Sequence, residues 1–234
     1  MSVHTEPLPG SAGAERRAQV WDAFVRIFHW SVVIAFFVAY FSEDDLLTVH
    51  VWAGYTIAAL VVLRIAWGFV GSEHARFSDF VTGPWRALRY LLDLVAGRGK
   101  RHVGHSPAGG IMALLLLAGL LGTVWSGMEL HAIENNAGPL AAVTATTAEV
   151  ASTSSSSLEL ISVARAVEDG REERDGRYED GDRGGEEFWE EIHEILANGV
   201  MALVVLHVLG VILASVAHRE NLVASMFTGT KRAE

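Results

Sequence analysis

Histidine stands at both ends of the segment HEILANGVMALVVLH, residues 193–207, which is otherwise almost wholly apolar. Imidazole is a metal ligand and a proton carrier, and a polar ring placed in hydrocarbon is costly enough to mark function. On a helix that rises about 1.5 Å and turns about 100° per residue, the path from His193 to His207 advances roughly 21 Å and stops about 40° short of four whole turns. Both rings therefore point the same way, at two depths.

Elements that could hold them there follow from composition. Half of the 234 residues are hydrophobic, mean hydropathy is positive, and charged residues crowd into blocks, the profile of an integral membrane protein. The chain has no cysteine, which excludes disulfides, thiolate-held clusters and covalent c-type haem attachment. Crossing about 30 Å of hydrocarbon takes about 20 helical residues, and four apolar runs reach or approach that length: 25–41, 46–71, 108–127 and 192–217. The fold expected is all-α, an integral membrane four-helix bundle spanning residues 20–232. Residues 1–19, polar and without the apolar core of a signal peptide, read as a disordered cytoplasmic tail. Trp67, Trp125 and Trp189 suit the membrane interface.

Orientation follows from the basic residues. Arg16, Arg17 and Arg26 precede or open the first span, Arg76 to Arg101 lie between the second and third, and Arg219, Lys231 and Arg232 follow the fourth. With four spans these segments share one side, so both termini are expected in the cytoplasm. The connection between the third and fourth spans then faces outward, with a Ser-rich and acidic insertion at 142–186. Residues 168–191 hold twelve acids against four arginines, so the segment reads as a mobile solvated loop or as a docking surface for a basic partner.

Placed by depth, the intramembrane histidines sort into two levels: His50 with His193 on the outer side, His29 with His207 on the inner. Two imidazoles facing each other across a bundle suit axial ligation of haem iron from both faces, which leaves no open coordination position and favours electron transfer. Gly54 and Gly199 would make room for a flat macrocycle. Two arginines approach the inner level. Arg26 lies one turn before His29, and Arg64 either snorkels to the interface or pairs with a haem propionate. His131 is a reserve ligand for the outer level, while His74 and His105 read as cap or loop residues. Two rival readings, a histidine-lined metal-ion transporter and a passive membrane anchor, explain less: intramembrane acids are lacking apart from Glu194 at the edge, and an anchor needs no buried imidazoles.

The stretches VWDAFVRIFHW, HVWAGYTIAALVVLRIAWGFVGSEHARFSDF, GHSPAGG, AGPLA and HEILANGVMALVVLHVLGVILASVAHRENLVASMFTGTKR resemble the bacterial cytochrome b561 and Ni,Fe-hydrogenase b-type cytochrome subunit family, over residues 20–140 and 186–232. That resemblance implies a four-helix bundle in the bacterial inner membrane, its acidic connection periplasmic, with two b-type haems that pass electrons between the quinone pool and a periplasmic or membrane redox partner. The family's ligands fall on His29, His50, His193 and His207. A quinone, a periplasmic c-type cytochrome or other redox subunit, membrane lipid and a second copy of the chain are the partners to consider; nucleic acid is not. Whether the subunit itself oxidises quinol stays open, because no motif locates a quinone pocket. The Ser-rich acidic insertion departs from the family pattern and leaves the partner's identity unspecified.

Overall fold

The computed structural model describes residues 17–42, 46–98, 102, 104–141 and 172–232. Four of its helices are long and apolar enough to cross a membrane: α1 (Ala23–Phe41), α2 (Leu47–Val70), α5 (Pro107–Asn135), and the Gly185–His218 part of α6, which as a whole runs Glu172–His218. Between α2 and α5 lie a single 3₁₀ turn (Glu73–Ala75), α3 (Phe77–Phe80) and α4 (Pro84–Val95), and α7 (Leu222–Thr228) follows α6. The chain is a multi-pass, helical membrane protein.

Side chains fix where these helices start. Asp22 caps α1, its Oδ1 accepting the Val25 N–H at 2.7 Å, so the first span opens two residues before its apolar run. Ser106 does the same for α5 through the Gly109 N–H at 3.1 Å, with Pro107 at the first helical position, where its missing N–H costs nothing. Two helices outrun their hydropathy. α5 continues eight residues past the expected 127 to Asn135, and α6 begins at Glu172 within the stretch expected to be a loop. Proline is missing from both extensions, so nothing in the backbone interrupts them. Residues 142–171, most of the proposed insertion, lie outside the described residues.

One element departs from an all-α reading. Residues Arg17–Gln19, assigned from sequence to the disordered tail, form strand β1, which pairs antiparallel with β2 (Thr230–Arg232) in the register Arg17↔Arg232. Three-residue strands carry no periodic signal, and their pairing joins the two ends of the chain. Gly229 makes the pairing possible: its φ of 81° is left-handed, its carbonyl accepts from both Val20 and Trp21 N–H, and a Cβ there would stand 2.7 Å from the Trp21 carbonyl oxygen.

The chain divides into two compact units, residues 1–33, 62–114 and 205–234 in the first, and residues 34–61 and 115–204 in the second. The first is built on Val20, Trp21, Val25 and Ala75, packed by Phe24, Trp67 and Met226. At its centre Asp22 Oδ2 accepts from Trp67 Nε1 at 3.0 Å and from Ser72 Oγ at 2.5 Å. Burial raises the Asp22 carboxyl pKa, but the hydrogen bonds from Ser72, Val25 and Trp67 and the charge of Arg64 outweigh it and hold the carboxyl below its ordinary range. Trp67, an interfacial residue by sequence, is thus a structural donor. The second unit buries Phe36, Ile57, Val61, Leu120 and Val200, and Gly119 lets Val200 approach so closely that a Cβ would meet its Cγ2 at 2.8 Å.

Candidate functional site

Each histidine pair lies within one unit: His50 and His193 in the second, His29 and His207 in the first.

In the second unit the His50 and His193 rings face each other with centroids 5.9 Å apart and planes at 75°. His50 Nδ1 lies 2.9 Å from the Ala39 carbonyl oxygen, and His193 Nδ1 lies 3.0 Å from the Thr123 carbonyl oxygen and 3.1 Å from Ser126 Oγ. A carbonyl can only accept, so in both rings Nδ1 carries the proton and Nε2 is the lone-pair nitrogen. Histidines that bind metals are oriented in this way, the second ring nitrogen donating to a backbone carbonyl. Two metal–imidazole bonds of about 2 Å each bring ring centres to roughly 6 Å, close to the separation found.

Around the pair is a partly open, mostly apolar cavity, lined by Phe36, Tyr40, Gly54, Tyr55, Gly127 and His131 among others. A Cβ on Gly54 would meet nothing within 4 Å, so this glycine borders open space, as its position beside the ligands suggested. Gly199 does not line the cavity. Gly127, not singled out from sequence, matters more: a Cβ there would stand 2.8 Å from His193 Cε1, so only glycine lets the ring lie against α5. His131 borders the cavity, its Nδ1 3.3 Å from Asn135 Nδ2, and stays a peripheral group.

In the first unit His29 lies within electrostatic reach of His207. Its Nδ1 is buried without a hydrogen-bond partner, and the same holds for Arg26 Nε and Trp30 Nε1. Three orphaned polar atoms at positions 26, 29 and 30, on one face of α1, are rare in a packed protein and point to a ligand with its own polar groups. Arg26 is anchored by Nη1, which donates to the Phe227 carbonyl at 2.6 Å, and Trp30 stacks on the Phe227 ring at 4.3 Å. Trp30 was invisible to sequence reasoning because tryptophan at a membrane edge is ordinary. Its only local signal is its spacing four residues after Arg26, which puts the two on one helix face.

Arg64 behaves differently. It is 7% exposed, its Nη2 donates to the Ala75 carbonyl at 3.1 Å, its guanidinium lies 5.5 Å from the Phe77 ring centre, and Asp22 supplies a nearby negative charge. Groups of the protein itself receive this cation. His105, read from sequence as a loop residue, packs edge-on against Trp21 at 4.7 Å. Burial, with the charges of Arg64, Lys231 and His74, pushes its pKa down to about 3.

Among the described residues no three His, Asp or Glu side chains converge into a chelating cluster. An opposed imidazole pair such as His50 and His193 suits a cofactor that supplies its own equatorial ligands, as haem does.

The comparisons agree with this chemistry. No solved structure matches the chain. Two curated relatives, each called a probable Ni/Fe-hydrogenase B-type cytochrome subunit, are similar at 28% identity. The one from Rhizobium leguminosarum bv. viciae aligns over 46% of this chain and 58% of its own length, and the one from Azotobacter vinelandii over 48% and 59%. The alignments thus span somewhat over half of those relatives. The family model for prokaryotic cytochrome b561 matches residues 20–229, nearly the whole chain, and the protein therefore belongs to the prokaryotic cytochrome b561 family.

Proposed function

We propose that this membrane b-type cytochrome carries two haems, one held by His50 and His193 and the other by His29 and His207, and moves electrons between the quinone pool and a periplasmic or membrane redox partner. The observation that carries the reading is the His50–His193 pair, with both Nδ1 atoms committed to carbonyls beside a partly open, mostly apolar cavity. Bound there, haem would supply one-electron chemistry with both axial positions filled. The protein's own share is to fix the ring tautomers through Ala39 and Thr123, to keep the site apolar, and to offer Arg26 and Trp30 as donors to an anionic edge. Arg26, with a buried Nε that no protein group receives, suits a propionate.

Both termini are placed in the cytoplasm and the α5–α6 connection in the periplasm, by the basic residues that flank the other connections. The relatives' names associate them with a hydrogenase, which favours a redox subunit as partner. The twelve acids of 168–191 favour a basic one, such as a c-type cytochrome. A metal-ion transporter finds no support in the paired geometry.

A pyridine haemochrome assay on the purified chain tests the reading. Two b haems per chain are expected, with His193→Ala and His207→Ala each losing one; a chain without haem returns the transporter and anchor readings.

A further inference from the structure

Helix α4 has three chemically distinct faces. At about 100° per residue, Ala87, Tyr90 and Leu94 fall on one side, and these are the residues the protein buries. Arg86, Arg89 and Asp93 fall on a second. Trp85, Leu88, Leu91 and Leu92 fall on the third, and nothing covers them: Trp85 is 80% and Leu92 64% exposed. A helix in water would be expected to carry polar groups on everything it does not bury.

Its position says what the third face meets. Within the first unit, the Tyr90 hydroxyl lies 3.4 Å from Nε2 of His218, the last residue of α6. Thr82, just before α4, donates to the carbonyl of Pro107, the first residue of α5, at 3.4 Å. The helix is therefore tied to the ends of two membrane-spanning helices, at the level where hydrocarbon gives way to headgroups. Its charge fits that location as well, since Arg86 and Arg89 are exposed and the sequence continues with Arg98, Lys100 and Arg101 against the single acid Asp93.

We propose that α4 is an interfacial anchor. Its Trp85, Leu88 and Leu92 face lies in the boundary between headgroups and acyl chains of an anionic leaflet, and Arg86 and Arg89 bind lipid phosphates. An amphipathic helix with aromatic and leucine residues on one face and arginines on the next has the composition for this, and anionic headgroups supply the complementary charge. The anchor would fix the connection between α2 and α5 against the membrane independently of any cofactor.

Because the chain has no cysteine, single cysteines at chosen positions can be labelled without altering others. The full-length variants Leu88→Cys, Leu92→Cys and Asp93→Cys, labelled with bimane, are reconstituted into phosphatidylcholine vesicles with and without phosphatidylglycerol. Quenching is then compared between a nitroxide near the headgroup end of the lipid chains and iodide in the buffer. Positions 88 and 92 should be quenched by the lipid nitroxide at least about threefold more than position 93, with the order reversed for iodide. Removing phosphatidylglycerol, or adding Arg86→Gln and Arg89→Gln, should weaken the lipid quenching at 92. Iodide reaching 88 and 92 as readily as 93 would put the face in water and overturn the proposal. Shielding of 88 and 92 from both quenchers would show a covering protein, a second copy or another subunit, and overturn it equally. Lipid quenching indifferent to phosphatidylglycerol and to the arginines would overturn the headgroup assignment.

Discussion

His50 and His193 stand 5.9 Å apart, ring centre to ring centre, and each is held by a backbone carbonyl of another helix, Ala39 of α1 for one and Thr123 of α5 for the other. The carbonyls set the tautomer before any ligand arrives. A site prepared in this way loses little by ordering its ligands on binding, which is the physical content of preorganisation.

Gly127 is the point at which that site is most sensitive to volume. An added methyl would meet His193 Cε1 at 2.8 Å, so Gly127→Ala must displace the ring from its carbonyl. The variant is expected to lose or strongly perturb the haem of the His50–His193 pair while keeping the other. Haem content and the low-spin optical spectrum, compared with His193→Ala, decide this; an unaltered spectrum would show that the ring has room to move.

Arg26 and Trp30 predict a change in potential. A cation and an N–H donor near a propionate favour the reduced, less positive haem, so removing them lowers its potential. Arg26→Gln should shift the His29–His207 haem to lower potential, and Trp30→Phe, which keeps the ring stacked on Phe227, should do so by less. Spectroelectrochemical titration would resolve the two proposed haems. Unchanged potentials in both variants would leave the orphaned atoms Arg26 Nε and Trp30 Nε1 without a propionate.

Arg64 is expected to matter for stability before it matters for redox. Arg64→Leu strips Asp22 of its nearby positive charge and leaves the Ala75 carbonyl short of a donor. Losing one partner of a largely buried charge arrangement costs on the order of 2 kcal/mol. Thermal unfolding in detergent should show the loss, and Asp22→Asn introduced with Arg64→Leu should cost less than the two changes added separately. Strict additivity would mean that the pair does not interact.

His105 makes the protein sensitive to acid. Its folded pKa of about 3 lies below the ordinary 6.5, so above 6.5 the ring is neutral in both states and makes no difference. As pH falls below 6.5 the unfolded chain takes up a proton that the folded ring refuses, and stability drops by up to about 1.4 kcal/mol per pH unit until the folded pKa is reached. His105→Phe should therefore flatten the fall in melting temperature between pH 6.5 and pH 4.5. Parallel curves for the two proteins would show that the ring is protonated in the fold.

Much of this architecture was legible in the chain. Spans are read from runs of apolar residues because lipid forces the backbone to satisfy itself within a helix, and α1, α2, α5 and α6 lie where those runs lie. The pairing of His50 with His193 was legible too, since helical periodicity and alternating direction are enough to sort histidines by depth. What sequence did not disclose is whatever depends on groups distant along the chain. Asp22 meets Trp67 and Ser72 across 45 and 50 residues, β1 meets β2 from opposite ends, and Gly127 meets His193. None of these contacts leaves a periodic trace. The sequence by itself determined where the four helices long and apolar enough to cross a membrane lie and that His193 and His207 share one helix face, because both follow from local hydropathy and helical repeat. Only the tertiary structure decided which carbonyls orient those rings and which carbonyls receive Arg26 and Arg64, because hydrogen bonds and close packing are settled by neighbours that the order of residues does not name.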